Sequence, residues 1–155
     1  SAHPMDFDPP LETAQGTSRM DQQAATFRPR VLPIRAGATV EFVNQDRFYH
    51  NVFSLSRGNM FDLGRKATGI VVNHTFETIG AVEVFCDIHP QMSATVLVLD
   101  TKWFTQPDSI GNFQLDGLPD GRYELRAYHP EHDTLKRMIE LGGGAPMTQS
   151  FVFGR

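Results

Sequence analysis

Cys86-Asp87-Ile88-His89-Pro90-Gln91-Met92 places a thiol, an imidazole and a thioether three residues apart on one short stretch. An alternating run (Val82, Val84, Cys86) leads into it, and a new apolar run begins at Ala94. Soft thiolate and thioether ligands hold Cu(I) while imidazoles serve both oxidation states, so this loop carries three of the four ligands of a His2Cys site with a weak axial Met. The second imidazole must come from elsewhere. His50 is the best candidate, in the aromatic-rich strand end Arg47-Phe48-Tyr49-His50-Asn51-Val52-Phe53-Ser54. Taken singly, a lone Cys is most often a small buried hydrophobe and a lone His is usually structural. Their conjunction is what points to a metal. A nucleophilic role for Cys86 is poorly supported, because no Gly-rich turn or Ser/Thr-rich motif surrounds it and a copper-held sulfur cannot attack a substrate.

Length and charge bound the alternatives. A chain of 155 residues suits one domain, or one domain with a small appendage, and can bury a self-sufficient core. No apolar run approaches the roughly 18 residues of a membrane span, so no membrane insertion is expected. No positively charged start is followed by an apolar stretch, and the chain reads as mature or trimmed. The formal net charge of −4, with no long basic cluster, argues against nucleic acid as a partner. A single cysteine excludes an internal disulfide, and a buried, metal-bound thiol is protected in an oxidising compartment.

Residues 1–23 contain scattered Met5, Phe7, Leu11 and Met20 without a sustained period, which predicts an N-terminal arm. If Ser1 carries a free amine, Ser1-Ala2-His3 forms a terminal copper(II) or nickel(II) chelate; an expression scar is the plain alternative. From Thr26 the pattern is one of strands. Pro29 and Pro33 cannot donate to a ladder, so the run 27–34 is expected at an edge or irregular. Val40 and Phe42 share a face opposite Glu41, and Asn44-Gln45-Asp46 is a turn cluster. Ser56 to Lys66 reads as a loop, while Ala67 to Phe76, Ala81 to Cys86 and Ala94 to Leu99 read as strands. This spacing suggests a β-sandwich.

Met20-Asp21-Gln22, Phe27-x-Pro29-x-Val31-Leu32-Pro33, Gly37, Val40-x-Phe42-x-Asn44-x-Asp46, His50-Asn51-Val52-Phe53-Ser54, Cys86-x-Ile88-His89-x2-Met92 and Val98-x-Asp100-Thr101 together resemble the cupredoxins. The likeness is to the plastocyanin-like periplasmic proteins labelled methylamine-utilisation proteins, and the short loop is similar to that of amicyanin. It implies a Greek-key β-sandwich over 24–104, one type 1 copper held by His50, Cys86, His89 and Met92, and a periplasmic location. It also implies single-electron shuttling between redox partners such as a dehydrogenase, cytochrome or oxidase, with no enzymatic reaction. Electrons are expected to pass through the edge of His89, with Pro90 and Gln91 in the partner contact. Ile88 stands where amicyanin-like loops carry Pro, so its N–H could reach the Cys86 sulfur.

Residues 105–155 carry a different pattern. Gly111-x-Phe113-x-Leu115-x-Gly117-Leu118-Pro119-x-Gly121-x-Tyr123-x-Leu125 resembles the carboxypeptidase-regulatory-like, transthyretin-like β-sandwich. An isolated sheet of this size is marginal, so it is expected to pack on, or borrow a strand from, the cupredoxin part. Met138–Leu141, the Gly142–Gly144 turn and Ser150–Phe153 would complete it, with Trp103 and Phe104 at the junction.

His129-Pro130-Glu131-His132-Asp133 is a second metal-like cluster, but four ligands do not converge by adjacency alone and Pro130 constrains the turn; a polar loop is the expectation. His74 shares a strand face with Val72 and Phe76 and reads as structural. Phe48, Tyr49 and Phe53 are expected in the core, shielding the site. The alternative function is copper storage, delivery or tolerance. Copper oxidase or reductase chemistry is disfavoured, because His3, His74, His129 and His132 share no spacing and Cys86 is flanked by Phe85 and Asp87.

Overall fold

The structure is a computed structural model that describes residues 2–4 and 17–154. Its regular elements are all strands: β1 (Ala2–Pro4), β2 (Thr17–Gln23), β3 (Thr26–Arg28), β4 (Val31–Arg35), β5 (Thr39–Asn44), β6 (Phe53–Ser54), β7 (Phe61–Asp62), β8 (Val71–Thr75), β9 (Gly80–Phe85), β10 (Ser93–Leu99), β11 (Gly121–His129) and β12 (His132–Leu141). The chain divides into two compact units, one within Thr13–Asp100 and the other from Ser1–Glu12 with Thr101–Arg155.

The Thr13–Asp100 unit holds two sheets, ordered β4-β10-β9-β6-β7 and β3-β2-β5-β8. Side chains alternate across a strand, so one face of each strand can be apolar and the other polar. Leu32 and Ile34 of β4, Val40 and Phe42 of β5, Val82 and Val84 of β9, and Val96 and Val98 of β10 are all buried in one core cluster. The prolines act as expected. The run 27–34 divides at Pro29 into β3, an edge of the four-stranded sheet, and β4, an edge of the five-stranded sheet, where Pro33 costs no central ladder bond.

Two segments of the expected arm are strands, β1 in the second unit and β2 in this one. Thr17–Gln23 forms β2, parallel to β5 with Met20 beside Phe42 and Gln22 beside Asn44. Its buried positions are Met20 and Gln22, so only one of them is apolar and no hydrophobic period is visible. The buried Gln22 side chain is satisfied by donating from Nε2 to the Asn51 carbonyl at 3.0 Å. The other arm residues singled out, Met5, Phe7 and Leu11, lie outside the described residues, as does Ser1 of the terminal chelate. Two predicted spans also shift: Ala67–Ile70 is turn ahead of β8, and the 56–66 loop contains β7.

The second unit has a three-stranded sheet ordered β1-β11-β12, in which Ala2 to Pro4 pairs with Leu125 to Tyr123. Tyr123 and Leu125 are buried, and the Tyr123 hydroxyl donates to the Pro119 carbonyl at 2.7 Å. Burial and the nearby Asp120 carboxylate push the Tyr123 phenol above its ordinary value. Residues 113–115 and 150–153, which the resemblance assigns to a β-sandwich, are not strands. Gly111 and Gly117, both with left-handed φ (90° and 76°), bracket the first of these segments. Asp108 Oδ1 accepts from the N–H groups of Ile110 and Asn112, folding the approach into a turn. The alternation of Phe113 and Leu115 is thus spent within a short bracketed stretch.

The register of β5 makes a direct prediction. Phe42→Ala, at a position 1% exposed, should cost about 3–5 kcal/mol in urea unfolding, whereas Glu41→Ala on the opposite face should stay within about 0.5 kcal/mol. Equal costs would mean the strand is turned over.

Candidate metal centre

Phe85, the last residue of β9, lies opposite Ser93, the first of β10. The seven residues 86–92 therefore bridge two paired strand ends. Cys86 continues the inward face of Val82 and Val84 by the period of two and is 2% exposed. The Asp87 N–H donates to Asn51 Oδ1 at 2.7 Å, which fastens the start of the loop to the segment carrying His50. The Met92 N–H donates to the His89 carbonyl at 2.9 Å and closes its far end. Met92 is buried in the core cluster, and His89 is half-buried.

His50 is fixed by its backbone and by both ring nitrogens. It forms an isolated bridge with Lys66, donating to the Lys66 carbonyl at 3.2 Å and accepting from the Lys66 N–H at 2.7 Å. The buried Asn44 side chain donates to the carbonyls of Phe48 and Lys66, which holds the turn leading to His50. In the fully buried ring, Nε2 lies 2.7 Å from Asp46 Oδ2 and Nδ1 lies 3.6 Å from Cys86 Sγ. Burial alone would raise the Asp46 carboxyl, but hydrogen bonds from His50, Ala25 and Ala24 outweigh it and hold the group below its ordinary value. An ionised carboxylate can only accept, so Nε2 donates to Asp46 and Nδ1 is the ring nitrogen on the sulfur side.

His89 completes the group, with Nδ1 at 3.9 Å from Cys86 Sγ. The donor atoms of His50, Cys86 and His89 all lie within 4.8 Å of one another. Thiolate and imidazole bonds to a first-row metal of about 2.3 and about 2.0–2.1 Å, at about 120°, separate sulfur from nitrogen by about 3.8 Å. The two observed S···N distances straddle that value. A buried thioether as the fourth group favours copper over the harder ions that prefer oxygen. His50, Cys86, His89 and Met92 are positioned to bind one copper ion.

Other residues fall differently. Phe48 and Tyr49 are 46% and 60% exposed rather than in the core, because they sit on the turn outside the sandwich. Phe48 nonetheless shields the site, its ring 5.1 Å from that of His50 and 5.0 Å from that of His89. Phe53 is half-buried against Phe85. Among the described residues the polar contacts of Cys86 Sγ are to the two imidazoles, and the Ile88 N–H makes none to it. His129 and His132 face each other across the end of the β11–β12 hairpin, packed with Phe153. Among the described residues they belong to no cluster of three donors. Of His3 only the backbone is described, opposite Glu124 in register. Asn51 and Asp46 hold the site from behind, and neither was marked as a site residue by sequence; the spacing of four between Asp46 and His50 carries meaning on a helix but none in a turn.

His74 is a structural histidine, stacked on Phe61 at 3.9 Å and edge-on to Phe76. Burial against these rings lowers its pKa from the ordinary 6.5. On acidification through about pH 6.5 the unfolded chain takes up this proton before the folded chain does, so stability should fall. Urea midpoints should drop between about pH 7.5 and about pH 5.5, and less so in His74→Gln; identical slopes would remove His74 as the cause.

No protein-family model and no curated protein matches the sequence. Solved structures do match. A Cu-containing nitrite reductase from Thermus scotoductus SA-01 is 27% identical over 55% of this chain, with a TM-score of 0.52, and the chain spans 23% of that protein's length. An amicyanin variant in its Cu(I) form has a TM-score of 0.52 and 23% identity over 57% of this chain and 87% of its own. A purple cupredoxin from Nitrosopumilus maritimus is 26% identical over 53% of this chain and 99% of its own, with a TM-score of 0.48.

Proposed function

We propose, proceeding from the cupredoxin fold that this chain has, that it is a mononuclear type 1 copper protein carrying single electrons between redox proteins. The observation that carries this is the convergence of His50 Nδ1, Cys86 Sγ and His89 Nδ1 at one end of a rigid sandwich. In this reading those three are the strong ligands and Met92 is the weak axial one. Copper bound there supplies a one-electron couple between its +1 and +2 states. The chain's own part is to hold the donors still and keep water out.

It does so with ordinary means. His50, Cys86 and Met92 are at most 2% exposed, and the loop ends are pinned by hydrogen bonds from Asp87 and Met92. Donors fixed in this way need little rearrangement when the charge at the site changes. His89 is the least buried of the four, and Pro90 and Gln91 beside it are exposed. A partner protein would meet this edge through a small, transient interface, below about 1,200 Å². No described helix is long and apolar enough to cross a membrane. On the family resemblance, we place the protein in the periplasm.

Visible spectroscopy of the copper(II)-loaded protein should show intense thiolate-to-copper charge transfer, and Cys86→Ser, which removes the chain's one thiol, should abolish it. A colourless copper(II) protein would contradict the proposal. Met92→Leu should retain copper with a raised reduction potential, whereas His50→Ala should open a position that added imidazole can fill. Equal loss of copper from both would show the ligand roles to be misassigned.

A further inference from the structure

We propose that Asp46 is a positioning residue that joins the His50 ring and the Ala24–Ala25 turn into one unit and so fixes which imidazole nitrogen faces the metal. This rests on His50 being a copper ligand. Asp46 Oδ2 lies 2.7 Å from His50 Nε2 and accepts from the Ala25 N–H at 2.9 Å, while Oδ1 accepts from the Ala24 N–H at 2.7 Å. The residue is itself held at both backbone groups. Its N–H donates to Asn44 Oδ1 at 2.9 Å, and its carbonyl accepts from Thr68 Oγ1 at 2.5 Å.

The turn supplies an independent observation. Ala24 and Ala25 both have left-handed φ, 53° and 52°, a conformation that hairpin turns normally give to Asn or Gly. Two alanines there are unfavourable on local grounds and need support from their surroundings. Two successive N–H groups aimed at one point form an anion-binding concavity, and the Asp46 carboxylate fills it. The same carboxylate then accepts from His50. A carboxylate behind a metal-binding imidazole fixes its tautomer and makes it a stronger donor. A negative charge at that place also favours the higher oxidation state of a bound metal.

Two measurements test this. Proton–nitrogen NMR of the wild-type protein, metal-free and Cu(I)-loaded, should show the His50 proton on Nε2 in slow exchange with water. In Asp46→Asn, which removes the charge and keeps the shape, the preference for Cu(II) over Cu(I) should fall about tenfold, which is 59 mV upward for a one-electron couple. The Ala24 and Ala25 amides should exchange at least about tenfold faster in the same variant. A merely structural residue would speed that exchange and leave the potential unmoved. A wild-type His50 protonated on Nδ1, or a variant potential within about twofold of the wild-type preference, would overturn the proposal. If His50 is not a copper ligand, the failure appears in the wild type as absent copper colour, and the metal-free NMR still decides whether Asp46 sets the ring.

Discussion

The pairing of Phe85 with Ser93 across β9 and β10 is the constraint on which the rest depends. It fixes the two ends of the seven-residue loop, and the period of two along β9 then directs Cys86 inward without any feature of the loop itself. What holds the register is the core. Val82, Val84, Val96 and Val98 are at most 1% exposed, and a slip of one residue would turn each of them to water and the polar face inward. Any sequence keeping that alternation would offer the thiol at the same place.

Polar contacts bring the second histidine to that point. Asn44, Asn51 and Gln22 are buried side chains, and their hydrogen bonds run to the backbone of the segments around His50 and to Asp87. In a dry surrounding such groups are costly unless satisfied, so the network tolerates few alternative arrangements. The apolar core thus fixes Cys86 and Met92, and the polar network fixes His50 relative to them. His89 stands at the boundary, held by the loop and covered on one side by Phe48.

Much of this was legible in the sequence because it rests on alternation and on rare residue types. β5, β9 and β10 announce themselves by apolar residues at every second position, and the one Cys beside a His and a Met leaves few other readings. Elements held by polar contacts were not legible. β2 buries Gln22 where a hydrophobe would have signalled a strand, and Asp46 becomes significant only when a turn brings it onto His50. The opposite failure occurs at 113–115, where strand-like alternation lies between Gly111 and Gly117, both with left-handed φ, and forms no strand. Hydrophobicity alone places Phe48 and Tyr49 inside, although one ring can shield two imidazoles from the outside.

In the proposed site one copper ion is held by a thiolate and two imidazoles of this chain. X-ray absorption at the copper K-edge of the copper(II)-loaded protein tests it most directly. One sulfur at about 2.2–2.3 Å and two nitrogens at about 2.0 Å are expected, the bond lengths of a thiolate and imidazoles on such a metal. A shell of four nitrogen or oxygen neighbours without sulfur, as an amino-terminal chelate would give, would contradict it.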